Sequence, residues 1–424
     1  MKNACGPAAL LLATAALSGC VGAADTAYVT LTDSAGVRIV TNLPGSIAAA
    51  QAWRLGERPV LEIGGGASPA VPLHRVTAVR PIEGGPILVG TDAPPRALVL
   101  RADGSLAATL GRQGEGPGEF DNVASVVPLG TDSVAVWDQD RRRLSVFTLD
   151  GVFQREVELS GLVPLSPLAA PNAEVPAGFT RLLGGGRGPL VIHVNGVWGP
   201  GLAEAGAQRM ALASHRIDPD GTARATYGPF AGMEIYRSPE MGVLPFPFGA
   251  TTDAALAGER LVVGTAASPQ LRYFAPDGTL MGIVRWPDHE RIVADGPLVA
   301  EFDAWFEEQL AWREPGEQAL FRELIGSIPR PERFPAYQGV VSGQDGRIWV
   351  GDYPGQLGLM GISPDLRRTP ARQWLIIDDA GALVARLRTP EGFDPHAVRD
   401  GRVWGVYRDE LEVESVRAYA VVKP

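Results

Sequence analysis

The chain has 424 residues, and its 52 glycines and 36 prolines make turn-forming residues about a fifth of the total. Charged residues are 20% and hydrophobic residues 45%, which indicates a folded chain rather than a disordered one. The net charge of −10 argues against a nucleic-acid-binding protein, because such proteins present a basic surface. Two cysteines exclude a disulfide-rich scaffold and a four-cysteine zinc site.

The N-terminus predicts an export signal. Lys2 supplies a positive charge, an apolar run covers 8–17, and small residues precede Cys20. The run is too short to cross a bilayer as a mature helix. The sequence LSGC at 17–20 resembles the lipobox of bacterial lipoproteins, which implies cleavage before Cys20 and acylation of that cysteine. An ordinary secretory signal with an incidental cysteine is the alternative.

The lipobox resemblance implies an organisation for the N-terminal region. Residues 1–19 are the expected signal peptide, and residues 20–50 the expected lipidated cysteine and tether. More than one acyl chain would anchor the protein stably in a membrane. Val21 stands where an aspartate often retains such proteins at the inner membrane, so the outer membrane is favoured, with the protein facing the periplasm or the cell surface.

The body of the chain shows a degenerate repeat of four short strands. In the clearest unit, alternating apolar and polar residues predict strands at 125–129, 133–138, 143–148 and 152–157. The Asp-Gly pair at 150–151 supplies the positive φ that a tight hairpin needs. Six such units begin near Leu73, Phe120, Phe179, Phe248, Phe334 and Phe393.

Four-stranded repeats of about 40–60 residues are typical of a β-propeller. The sixth unit has only three strands before Pro424, and the segment 60–64 fits the missing fourth strand. The predicted fold is therefore an all-β, six-bladed β-propeller over 51–424, whose N-terminal strand closes the last blade. Such closure removes exposed sheet edges. A β-sandwich of similar strands is the alternative.

Two regions resemble the NHL repeat. One consists of VWD at 136–138, RLSVF at 143–147 and the DG turn at 150–151; the other is the glycine-rich segment GRQGEGPGEF at 111–120. Arg142 replaces the asparagine that usually precedes the NHL arginine. The resemblance implies an NHL-like propeller lipoprotein. It implies little about function, because NHL propellers do several unrelated jobs.

Residues 288–333 break the strand pattern. Leu298, Phe302 and Trp305 recur at helical spacing, and Pro315 stands where a second helix would begin. The segment predicts a helical hairpin inserted between the fourth and fifth blades. Either the apolar face of this hairpin packs on the propeller, or the hairpin acts as a lid or as a partner-docking element.

No sequence motif assigns a chemistry: G-x-S-x-G, H-E-x-x-H, a P-loop and C-x-x-C are all absent from the sequence. In a propeller, the loops that cross between blades and the loops that join the second and third strands share one face around the central channel. Candidate binding residues on that face are His74, Arg75, Asp121, Asn122, Asp138, Arg181, Asp352, Asp394 and His396. They could bind a polar ligand or a divalent cation, or simply form a solvated rim.

Two functions of different class fit these features. The first is a lipid-anchored scaffold that binds a protein or a small polar ligand and needs no cofactor. The second is a metal-dependent lactonase, hydrolase or lyase with its site at the channel mouth. His74 and His396 lie in adjoining blades, so a metal ion held by both and by nearby carboxylates would favour the enzyme. Pairing of the carboxylates with arginines would favour the scaffold.

Overall fold

A computed structural model describes residues 28–66, 71–82, 84–163, 179–184, 188–197, 205–238, 242–288, 296–353 and 369–424. The predicted signal peptide and the lipidation site, Cys20, lie outside the described residues. The described chain forms a ring of six β-sheet blades with a helical hairpin inserted between blades 4 and 5. The predicted propeller is therefore confirmed.

The first three blades follow one another along the chain. In each blade the strands run from the inner strand at the channel to the outer strand, and neighbours are antiparallel. Blade 1 contains Val76–Pro81, Ile87–Asp92, Pro95–Leu100 and Leu106–Leu110. Blade 2 contains Val123–Leu129, Ser133–Asp138, Arg143–Thr148 and Phe153–Glu158. Blade 3 contains Phe179–Gly184, Leu190–Val197, Gly206–Ile217, Ala223–Ser238 and an added edge strand, Gly242–Pro245.

The last three blades complete the ring. Blade 4 contains Asp253–Ala257, Arg260–Gly264, Gln270–Phe274 and Leu280–Arg285. Blade 5 contains Val340–Ser342, Ile348–Gly351, Arg372–Ile377 and Leu383–Thr389. Blade 6 contains Phe393–Arg399, Arg402–Arg408, Glu414–Val422 and, as its outer strand, Leu61–Gly64. A short parallel pair, Arg112–Gln113 with Glu119–Phe120, lies in the crossing from blade 1 to blade 2.

The core lies between neighbouring blades, and the second strand of blade 2 shows why. Its side chains alternate between two buried faces, because successive residues of a strand point to opposite sides. Val134 and Val136 pack in the cluster shared with blade 1. Ala135 and Trp137 pack in the cluster shared with blade 3, where the Trp137 indole also donates a hydrogen bond to Thr180 Oγ1 at 2.8 Å. Each blade is thus held by both neighbours.

The ring closes through its N-terminal strand, as predicted. Leu61–Gly64 pairs antiparallel with the third strand of blade 6, with Ile63 opposite Val416. Ile63 is only 1% exposed and belongs to the cluster that blade 6 shares with blade 1. Arg417 donates to Glu62 Oε1 at 2.7 Å beside it. The strand Leu61–Gly64 and the third strand of blade 6 therefore stabilise each other.

The chain before this strand forms a belt on the outside of the ring. Val29–Ser34 and Val37–Asn42 make a hairpin, and the second of these strands pairs in parallel with the outer strand of blade 4. The short helix α1, Ser46–Ala49, leads to Gln51–Ala52, which pairs with the outer strand of blade 5. Arg54–Leu55 then pairs with the end of the third strand of blade 6, Glu414–Val422.

Asn42 fastens this belt to two blades. Its buried amide donates to the carbonyl oxygens of Arg285 in blade 4 at 2.9 Å and Gly381 in blade 5 at 3.0 Å. Its Oδ1 accepts from the Leu383 amide at 2.7 Å. The tether predicted over 20–50 therefore needs correction from Val29 onward, because the outer strands of blades 4 and 5 offer unpaired backbone groups that this segment satisfies.

The inserted hairpin consists of α2, Pro297–Leu310, and α3, Pro315–Ser327. Pro315 stands in the first turn of α3, as predicted. Val299, Phe302 and Trp305 of α2 pack with Phe248 and Phe334, which are in the crossing loops that lead into blades 4 and 5. The hairpin therefore lies on the same face as the candidate site. Neither helix, nor any other in the part of the chain that the structure describes, is long and apolar enough to span a membrane.

Candidate functional site

The candidate residues gather at one end of the ring, here called the mouth face. Because all inner strands run in the same direction, the crossing loops and the loops between second and third strands meet at that end. His74 is exposed in the crossing loop that leads into blade 1. Arg181 and His396 lie further along, within the inner strands of blades 3 and 6.

Arg75 forms the first charged pair of the mouth face. Its Nη2 lies 2.5 Å from Asp92 Oδ2, so the crossing loop into blade 1 is joined to the loop that follows the second strand. The Asp92 amide also donates to the Arg75 carbonyl oxygen at 3.0 Å. Most of the Arg75 side chain remains exposed, at 62%, whereas Asp92 is largely covered. The carboxylate of Asp92 is therefore engaged in holding its loop.

Asp121 and Asp138 form a second set, in blade 2. Arg141 Nη2 lies 2.7 Å from Asp121 Oδ2, and Glu115 lies 3.6 Å from the same nitrogen. Asp138 is buried and accepts hydrogen bonds from the amides of Asp121 at 2.9 Å and Arg141 at 3.1 Å. Burial raises the pKa of Asp138, and these two hydrogen bonds partly oppose the rise. Asp138 thus acts as a clamp on the backbone of two loops.

Asn122 pairs with another acid of the same loops. Its Nδ2 donates to Asp140 Oδ1 at 3.3 Å, and its carbonyl oxygen accepts from the Gln139 amide at 3.0 Å. Burial raises the pKa of Asp140, while the Asn122 hydrogen bond works in the opposite direction. Asn122 therefore helps to fix the loop that carries Asp138 and Arg141.

Asp352 lies beside a buried arginine of blade 5 that the sequence did not single out. Its Oδ1 accepts from the Gln373 amide at 3.1 Å, and its carbonyl oxygen accepts from Arg372 Nη2 at 3.0 Å. The Arg372 guanidinium also lies 4.9 Å from the centre of the Trp374 ring. Burial lowers the pKa of Arg372 despite the nearby acids. The available signal in the sequence was an arginine at the first position of the mostly apolar strand RQWLII.

Asp394 and His396 form the one carboxylate–imidazole pair among the candidates. His396 Nε2 lies 3.5 Å from Asp394 Oδ2, and the Asp394 side chain is 40% exposed. Burial acts to raise the pKa of Asp394, but the hydrogen bond and charge of His396, with the charges of Arg372 and Arg408, bring it below its ordinary value. Asp394 is thus a carboxylate that its contact with His396 and the charges of Arg372 and Arg408 stabilise.

Two arginines lie along the channel. Arg181 was predicted from the sequence, and Arg80 was not. Arg181 Nη2 donates to the Ala254 carbonyl oxygen of blade 4 at 2.9 Å. Arg80, on the inner strand of blade 1, donates to the His396 carbonyl oxygen at 2.6 Å. Its signal in the sequence is a charge at the fifth position of the otherwise mostly apolar strand VTAVRP.

The enzyme alternative required histidines and carboxylates around one metal ion. Within the ranges that the structure describes, no group of three or more His, Cys, Asp or Glu side chains is placed to hold a metal. Arg75 and Arg141 instead neutralise Asp92 and Asp121. The described mouth face thus shows ion pairs and backbone clamps rather than converging ligands.

Comparisons with known proteins give no family. No family model matches the sequence. No curated protein matches it either.

Several solved structures resemble the chain at low identity. One is a member of the DUF4221 family from Bacteroides vulgatus (11% identity, TM-score 0.49, 88% of this chain and 100% of that one). Another is a putative exported protein from Bacteroides fragilis (10% identity, TM-score 0.45, 88% and 99%). A third is virginiamycin B lyase from Staphylococcus aureus (11% identity, TM-score 0.39, 82% and 95%). At these values none of them indicates a function for this chain.

Proposed function

We propose that the protein is a lipid-anchored, NHL-like propeller outside the cytoplasm that acts as a binding scaffold. Its mouth face would receive a protein or a small polar ligand. The observation that supports this is the pairing of the mouth charges: Asp92 with Arg75, Asp121 with Arg141, and Asp138 with two backbone amides. Charge-assisted bonds of this kind fix the loops and leave a preformed polar surface.

The same pairing weighs against a metal-dependent enzyme. A guanidinium beside a carboxylate supplies the positive charge that a metal ion would otherwise bring. Asp394 and His396 are the best remaining ligand pair, at 3.5 Å from each other. Two ligands are fewer than the three protein ligands that a catalytic zinc ion ordinarily takes. The scaffold therefore accounts for the described residues better.

The belt makes the proposed anchor short. Cys20 would carry the lipid, and the first strand of the belt begins at Val29. The intervening chain can reach at most about 30 Å, at about 3.5 Å per residue. A tether extending to residue 50 could reach roughly three times as far. The rim of blade 4 would therefore be held close to the membrane, in the outer membrane as we propose from Val21.

Metabolic labelling with a palmitate analogue tests the anchor. We expect the wild-type protein to incorporate label and to fractionate with membranes. Cys20→Ser should abolish both, whereas Cys5→Ser is the matched control and should retain both, because Cys5 lies in the predicted signal peptide. Labelling that survives in Cys20→Ser would contradict the proposed lipidation.

Site-specific photo-crosslinking in the native cell tests the binding face. A photoreactive residue at exposed His74 reports on the mouth face, and one at exposed Asp379 reports on the opposite face, in the turn between the third and fourth strands of blade 5. We expect adducts from position 74 and none from position 379. Adducts from position 379 alone would contradict the assignment of the mouth face.

A further inference from the structure

Two arginines border the central channel without belonging to the ion pairs of the mouth. Arg80 lies on the inner strand of blade 1 and donates through Nη1 to the carbonyl oxygens of His396 at 2.6 Å and Val79 at 3.2 Å. Arg181 lies on the inner strand of blade 3 and donates through Nη2 to Ala254 O at 2.9 Å. Each guanidinium therefore reaches the inner strand of a neighbouring blade, along the channel wall.

Neither guanidinium has a carboxylate partner in the part of the chain that the structure describes. Their hydrogen bonds there go only to backbone carbonyl oxygens. Arg75 and Arg141 of the mouth face, by contrast, each contact an aspartate within 3 Å. The channel therefore carries two positive charges that these residues do not neutralise.

The two charges act on each other and on a neighbouring histidine. Burial lowers the pKa of Arg80 to about 10, and the charge of Arg181 is the second cause of this fall. Burial also lowers the pKa of His193 to about 3, and the charge of Arg181 is again the second cause. No acid is among the groups that shift the pKa of Arg80 or of His193. Uncompensated charges in a partly buried position are costly unless an opposite charge joins them.

Both guanidiniums keep donors for such a charge. Nε and Nη2 of Arg80, and Nε and Nη1 of Arg181, make no hydrogen bond within the described residues. These atoms are not among the described polar atoms that are buried without a partner, so they reach accessible space. The planar fork of arginine suits carboxylate and phosphate groups in particular.

We propose that the channel contains an oxyanion-binding site in which Arg80 and Arg181 bind a phosphate, sulfate or carboxylate group. Blade 2 stands between the two parent blades, so the anion would join the walls of blades 1 and 3. The site lies inside the channel, and it does not depend on a partner at the mouth face.

Isothermal titration calorimetry on the mature chain without its lipidated cysteine tests this proposal. Inorganic phosphate and succinate are titrated separately at constant ionic strength in chloride buffer. We expect saturable binding of at least one probe. Binding of phosphate alone points to a phosphate or sulfate group, and binding of succinate alone points to a carboxylate ligand. No binding of either would overturn the proposal.

Substitutions then locate the site. Arg80→Gln with Arg181→Gln should weaken binding at least tenfold, and Arg80→Lys should weaken it less because the charge remains. Arg112→Gln is the matched control, since Arg112 is exposed in the crossing from blade 1 to blade 2 and is paired with Glu119 at 2.7 Å. Equal binding by the double variant and the control would refute the assignment.

Folding is checked by thermal melting in the same chloride buffer, without phosphate, sulfate or carboxylates. Removing mutual repulsion should leave the melting temperature of the double variant unchanged or higher. If that variant does not fold, Arg80→Lys and the wild-type titrations still decide the question. The crosslinking result at position 74 is separate, so failure of the scaffold proposal and failure of the channel site can be told apart.

Discussion

Ring closure depends on one small strand, and Ile63→Ala tests it. Ile63 is 1% exposed, lies opposite Val416 of blade 6 and packs in the cluster shared with blade 1. It also lies against Gly104, where an added Cβ would come within 2.8 Å of Ile63 Cγ1. The side chain therefore joins the two blades that the start and end of the chain must bring together.

The expected loss of stability follows from the atoms removed. Truncation deletes Cγ1, Cγ2 and Cδ1, which is about 2.4 kcal/mol of transfer free energy at about 0.8 kcal/mol per methylene. The cavity left between close-packed strands adds to this, so the free energy of unfolding should fall by about 3–4 kcal/mol. Because the strand closes the ring, Ile63→Ala should destabilise both blade 6 and blade 1.

Urea unfolding followed by the fluorescence of the nine tryptophans measures this loss. Val60→Ala is the matched control, because Val60 directly precedes the same strand and is 52% exposed. We expect the control to change the free energy of unfolding by less than about 0.5 kcal/mol. If Ile63→Ala costs less than about 1 kcal/mol, or no more than the control, the closing role of this strand is refuted.

Three further changes test contacts between blades and the buried histidine. Trp137→Phe removes the hydrogen bond to Thr180 and should lower the free energy of unfolding by about 1–2 kcal/mol in urea titrations. Asn42→Ala leaves the backbone groups of two blades unpaired and should cost about 2–4 kcal/mol; a loss below about 0.5 kcal/mol would contradict the belt. Burial lowers the pKa of His193 to about 3, so its stabilising effect is complete above its unfolded pKa, near 6.5, and is lost as the pH falls towards 3. Between pH 7 and pH 5 the free energy of unfolding should therefore fall by about 2 kcal/mol through His193. His193→Gln should remove this pH dependence, whereas the control His74→Gln, at an exposed position, should retain it. Identical pH profiles for the wild type and His193→Gln would be inconsistent with a buried neutral imidazole.

Local patterns were sufficient to predict the blades. Period-two alternation in 133–138 and the Asp-Gly turn at 150–151 specify a strand and a hairpin without knowledge of distant residues. The closing strand was predictable because the sequence of the sixth unit contains only three of the four strands of a blade. The belt was not predicted, since Val37–Asn42 pairs with a strand some 240 residues later and nothing local identifies that partner.

The candidate site could be predicted by residue type but not by contact. Loop topology placed Asp121 and Asp138 near the mouth, yet Arg141 and the loop amides determine what those carboxylates do. Arg80 was not predicted, because its charge lies within an inner strand and loop topology identifies only loop residues. Pairing depends on side-chain geometry across blades, which composition and spacing do not contain.

Metal analysis of the purified mature chain tests the scaffold proposal most directly. The scaffold proposal depends on mouth carboxylates that are engaged by Arg75, Arg141 and backbone amides. It predicts far less than one divalent ion per chain by mass spectrometry, and a melting temperature that EDTA leaves unchanged. A stoichiometric ion whose removal lowers the melting temperature, and which is lost in Asp394→Asn, would contradict the scaffold and favour the metal-dependent enzyme.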